Sequence, residues 1–157
     1  MTGTEFEEHV ALEGEWLVLA LSKHNVAMIR RAAGDLAASM EDKRANLAWP
    51  RAWRGHTSVF PAAYESRREQ SAYRDRHDAD LRADLMAAAH RVIAALDAGR
   101  PVRYPAAAAD DLLRVLGVAR LLSTRRSSAD VTADYLTAVQ HDIVVTLRPE
   151  LTEVGPA

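Results

Sequence analysis

The chain has 157 residues, 48% of them hydrophobic and 27% charged, with a formal net charge of −2 and no cysteine. That length suits one domain whose core needs neither disulfide nor metal. The missing thiols exclude a disulfide framework, a cysteine nucleophile and a thiolate zinc site, and the near-neutral charge sets aside strong non-specific attraction to nucleic acid or acidic membrane.

Glu5, Glu7 and Glu8 are acidic where a secretory signal would be basic. The longest apolar run, Trp16 to Leu21, is far too short to cross a bilayer. The expectation is a soluble cytoplasmic protein that does not enter a membrane.

Residues 5–21 are predicted to form a β-hairpin, with Phe6, Val10 and Leu12 before a Glu13-Gly14 turn and Trp16 to Leu21 after it. Ser22 stands where a helix N-cap would, and Met28, Ile29, Ala32, Ala33 and Leu36 recur at helical spacing, so a helix is expected over about 23–40. Residues 41–62 read as one long irregular stretch punctuated by Pro50, Gly55 and Pro61, and a loop of that length tends to be functional or disordered. A long helix follows over about 65–98, with Tyr73, His77, Leu81, Leu85, Ala88, Val92 and Leu96 in one stripe. Gly99 stops it, and Pro101 and Pro105 mark a short linker. The next helix, about 106–123, turns Leu112, Val115, Leu116 and Ala119 inward. The last, about 128–147, carries a stripe of Val131, Tyr135, Val139 and Ile143, widened by Leu136 and Leu147, and ends at Pro149. The fold class is mainly α: a single domain over 1–157 with about four helices and a small N-terminal hairpin.

No complete catalytic or metal-binding constellation stands out. A metal site on helices pairs His or carboxylate residues three or four apart and repeats the pair on a second helix. His77 with Asp80 and His9 with Glu13 have the spacing but no second half. His77 lies on the apolar stripe of the long helix, which favours a core histidine bonded to a neighbour over a metal ligand. His141 and Asp142 are adjacent on a helix and point about 100° apart, so they cannot act as a pair. The serines lack a nucleophile elbow, and the 7 scattered glycines make no phosphate cradle. No cofactor is expected. Arg120, on the margin of a buried helix face, calls for a structural ion pair with an acidic residue of the long helix.

Residues 43–76 are more basic and hold Trp49, Trp53, Phe60, Tyr64 and Tyr73 among arginines. Such a segment packs on its own core, anchors a protein partner or stacks bases. Trp49, Trp53 and Arg54 are the candidate partner-binding residues. A helix-turn-helix reading of the last two helices is weakened by Asp130, Asp134 and Asp142 where a DNA-reading helix needs basic or amide side chains.

Three groups of segments carry a family likeness. They are Trp16 to Leu21 followed by Met28-Ile29-Arg30 through Leu36; Val59-Phe60-Pro61-Ala62-Ala63-Tyr64 followed by Tyr73-Arg74 and Asp80-Leu81-Arg82; and Arg120-Leu121 followed by Leu136-Thr137-Ala138-Val139-Gln140, Ile143-Val144 and Leu147. In order and spacing they resemble an actinobacterial domain-of-unknown-function family, number two-zero-one-seven, over most of the chain. Members are typically encoded beside the adaptor that delivers N-degron substrates to the Clp protease, and some are labelled transcriptional regulators. Members often carry Leu-Asn-Asp just before the Arg-Leu pair, where this chain has Leu116-Gly117-Val118, so any role of that Asn-Asp is absent here. The resemblance implies a fold and a genomic context, and no activity. The function expected is that of a non-enzymatic regulatory or protein-interaction protein, linked through that context to Clp-dependent proteolysis. The alternatives are a DNA-binding regulator and a small-ligand or metal-binding protein. A protein partner is expected, and so is a homodimer formed through a helix face or a free strand edge.

Overall fold

In a computed structural model, which describes residues 6–41, 67–126 and 131–152, four helices pack against one face of a three-stranded antiparallel sheet. The fold is mainly α with an N-terminal hairpin, as the sequence predicts.

The hairpin pairs β1 (His9–Glu13) with β2 (Trp16–Ala20). Gly14 takes φ +60, the left-handed conformation that the tight turn requires and that a glycine adopts without a Cβ clash. The segment expected as a proline-marked linker is instead a third strand, β3 (Val102–Pro105), paired antiparallel with β2. Its period-2 alternation is short but regular: Val102 and Tyr104 are buried, and Arg103 and Pro105 are exposed. Register places Leu17 opposite Tyr104 and Leu19 opposite Val102, so these four side chains share the face that meets the helices. Trp16, Val18 and Arg103 take the other face.

The two sheet edges follow from the same register. The Ala106 N–H donates to the Glu15 carbonyl at 2.9 Å, which makes 15 and 106 a hydrogen-bonded pair and alternates the rest. Positions 102 and 104 therefore bond to β2, and 101, 103 and 105 point to the free edge. Two of those three are prolines without an N–H. On the other side, β1 turns the backbone groups of Val10 outward toward Thr146, whose hydroxyl donates to the Asp142 carbonyl of its own helix at 2.7 Å and lies 3.3 Å from the Val10 carbonyl.

The helices are α1 (Lys23–Glu41), α2 (Arg67–Asp97), α3 (Ala109–Arg126) and α4 (Thr132–Leu147). One 3₁₀ turn (Ala106–Ala108) leads into α3 and another (Pro149–Thr152) follows α4. α1 packs on α2 and α3, α2 on α3 and β3, and α4 on α3 and β1. α1 buries Val26, Ile29, Ala33, Leu36 and Met40 at steps of three and four. In α2 the predicted stripe is buried at Leu85, Ala88, Val92 and Leu96, while His77 is exposed. Leu81 is 42% exposed. The stripe of α4 also differs from expectation. Val131 precedes the helix and is 67% exposed, and the buried row is Ala133, Leu136, Val139 and Ile143, with Tyr135 at its margin.

Candidate functional site

Ser22 caps α1 as predicted: its hydroxyl accepts the Asn25 N–H at 3.2 Å. In a capping box the residue at the third helical position reaches back to the cap's own N–H. Here Asn25 is too short for that, and Glu8, arriving from just before β1, does it instead. Glu8 Oε1 accepts the Ser22 N–H at 2.7 Å and the Asn25 side-chain amide at 2.6 Å. Its Oε2 accepts the Tyr135 hydroxyl from α4 at 3.2 Å. Desolvation pulls the Glu8 pKa up, but the bonds from Ser22, Asn25 and Tyr135 together outweigh it and hold the carboxyl below its ordinary value. Burial, with the Glu8 carboxylate beside it, pushes the Tyr135 hydroxyl well up. A carboxylate with these donors is a structural tie rather than a general acid or base. Nothing in the spacing of Glu8 and Tyr135, 127 positions apart, signals it.

A second polar group joins α2, β3 and α3. Arg91 pairs with Asp111 at 2.7 Å, and Arg114 reaches the other oxygen of Asp111 at 3.1 Å. Tyr104, 3% exposed, brings its hydroxyl beneath them without forming a protein hydrogen bond of good geometry. Burial raises the Tyr104 pKa, against a smaller opposing pull from Arg91. A cavity of about 10 Å³ lies on the core face between Leu19, Ile29, Val92, Leu112 and Val139. Its lining is apolar and it has room for no more than one water.

The outer sheet face carries the third arrangement. Trp16 is 42% exposed, and the Arg103 guanidinium lies 5.5 Å from its ring centroid, within cation–π range. Neither stands out in the sequence: Trp16 reads as one residue of an apolar strand, and Arg103 as part of a linker. The signal is parity, visible only once β3 is known to pair.

Trp49, Trp53 and Arg54 lie outside the described residues. His77 does not sit in the core: it is exposed on α2, four residues before the exposed Leu81. Arg120 is half-buried, as expected for the margin of its helix, but it faces α4 and donates to the Thr137 hydroxyl at 3.5 Å. The ion pair between the long helix and α3 is made with the signs reversed, the arginine on α2 and the carboxylate on α3. The described residues contain no group of three His, Cys, Asp or Glu side chains placed to hold a metal ion, and no helix long and apolar enough to cross a membrane.

A model of the domain of unknown function DUF2017 matches residues 4–143. The chain belongs to this family. The DUF2017 match begins ahead of β1 and runs to Ile143 in α4, so it takes in the sheet, the first three helices, most of α4 and both polar ties. No curated protein and no solved structure matches the chain.

Proposed function

We propose that the protein is a non-catalytic interaction module of the cytoplasm that docks a protein partner in a regulatory role. The supporting observation is the Trp16–Arg103 pair on the outer face of the sheet. Exposed tryptophan and arginine are the residues that most often dominate protein interfaces, and an indole already held under a guanidinium loses little freedom on binding. The aromatic and arginine segment of residues 49–76, centred on Trp49, Trp53 and Arg54, is a separate candidate for docking, proposed from the sequence alone. The family resemblance supplies the first partner to try, a component of the Clp machinery that receives N-degron substrates.

The test is cross-linking in cells followed by affinity capture and mass spectrometry, comparing wild type with Trp16→Ala and Trp53→Ala. One defined protein recovered with the wild type and lost with either variant, while both variants keep the wild-type melting curve, supports the reading. Equal recovery with all three chains overturns the surface. Salt-sensitive retention of duplex DNA in place of a protein overturns the interaction reading.

A further inference from the structure

The strands of the sheet are unequally anchored. β2 buries Leu17, Val18 and Leu19. In β1 none of the five residues is fully buried: His9, Leu12 and Glu13 are exposed, and Val10 and Ala11 are half-buried. Its backbone bonds run to β2 alone, through positions 9, 11 and 13 facing 20, 18 and 16. Elements with little buried apolar surface open locally at far lower free energy than the core. Among the described residues, what holds β1 beyond that ladder is a short list. The last helix, α4, contacts β1, with the Thr146 hydroxyl 3.3 Å from the Val10 carbonyl, and Val10 packs against the core. The remaining attachment is Glu8, one residue ahead of the strand, which takes three hydrogen bonds from two helices. Bonds to an ionised carboxylate are about twice as strong as neutral ones.

We propose that Glu8 is a latch: its bonds to Ser22, Asn25 and Tyr135 keep β1 closed on the sheet, and their release opens β1 while the helical core stays folded. The consequence lies at β2. Pro101 and Pro105 flank Arg103 on the outward side of β3, and α4 contacts β1. Opening β1 uncovers the backbone groups of Trp16, Val18 and Ala20, a stretch of edge without a proline.

Hydrogen exchange at neutral pH tests this on the full chain with Glu8→Ala and Tyr135→Phe. In Glu8→Ala the amides of His9, Ala11, Glu13, Trp16, Val18 and Ala20 should exchange about tenfold faster or more, while those of Leu85 to Leu96 and Leu112 to Ala119 keep wild-type rates. Tyr135→Phe removes one bond of the three and should give a smaller rise at the same amides. If Glu8→Ala does not fold, the rise in Tyr135→Phe decides alone. Unchanged exchange along β1 and β2 would overturn the latch. So would a rise shared equally by α2 and α3, because Glu8 would then support only the global fold.

Discussion

Arg30 on α1 holds Asp97 on α2 with two bonds, Nε to Oδ1 at 2.6 Å and Nη2 to Oδ2 at 3.1 Å. The fork closes the α1–α2 pair where the long helix ends, two residues before Gly99. The hydrogen bond from Arg30 is the main cause of the Asp97 carboxyl lying below its ordinary value, helped by the charge and opposed by desolvation. A carboxyl lowered in this way contributes stability above its unfolded pKa and loses it as pH falls through the folded one. Both side chains are about half exposed, so the effect is small and salt-sensitive. Asp97→Asn should lower the urea midpoint slightly at pH 7, and the gap to wild type should close as pH falls below the carboxylate range. A gap that stays constant to acid pH would show that the pair is not what the substitution removes.

Tyr104 is a buried phenol whose hydroxyl has no well-formed protein hydrogen bond. Leaving such a group unpaired costs about 1–3 kcal/mol. Tyr104→Phe keeps the ring packed between the sheet and α2 and removes only that oxygen. The expected outcome in chemical denaturation is a stability equal to wild type or higher by about 1 kcal/mol. A loss of about 1 kcal/mol or more would mean that the hydroxyl is satisfied in solution, with the Arg91–Asp111 pair the nearest source of a partner.

Gly117 lies inside α3, where a glycine costs about 1 kcal/mol relative to alanine. Its reason is on the facing helix. A Cβ at 117 would stand 3.1 Å from the Gln140 side-chain nitrogen, which donates to the Leu113 carbonyl at 3.0 Å. The two effects are of similar size, since a side-chain hydrogen bond contributes about 1 kcal/mol. Gly117→Ala alone should therefore stay within about 0.5 kcal/mol of wild type, while the same change in a Gln140→Ala background should stabilise by about 1 kcal/mol. A double-mutant cycle with no coupling would remove Gln140 from the explanation.

The helices were legible because their apolar spacing is long and regular, and Ser22 gave the start of α1 by its chemistry alone. The apolar period runs on past the core at two places. His77 and Leu81 continue the period of α2 by sequence, but both are exposed, and burial begins at Leu85. Val131 continues the period of α4 by one step, yet it falls before the helix begins. β3 was hidden because four residues are too few for a convincing alternation and two prolines beside them read as a linker. The polar ties were not legible at all. Glu8 meets Tyr135 only because α4 returns along β1, and Trp16 meets Arg103 only because β3 pairs with β2.

The same prolines give the last prediction. Pro105 occupies an outward position of β3, and with Pro101 it leaves Arg103 as the one residue of that edge with an N–H to offer. Edge strands with free donors recruit other chains, and proline at an edge is a common guard against it. Pro105 has φ −58 and ψ 125, a conformation open to other residues, so Pro105→Val should fold. It should cost up to about 1 kcal/mol, chiefly because the unfolded chain regains freedom. Its larger effect should be on association: by light scattering, its mean mass should climb with concentration more steeply than that of the wild type. Adding a charge, as in Pro105→Lys, restores the N–H but supplies the other common edge guard, and should not show that climb. If the valine and lysine variants associate alike, the free N–H is enough and charge does not protect this edge. If neither departs from wild type, the prolines set the turn into α3 and do not guard the sheet.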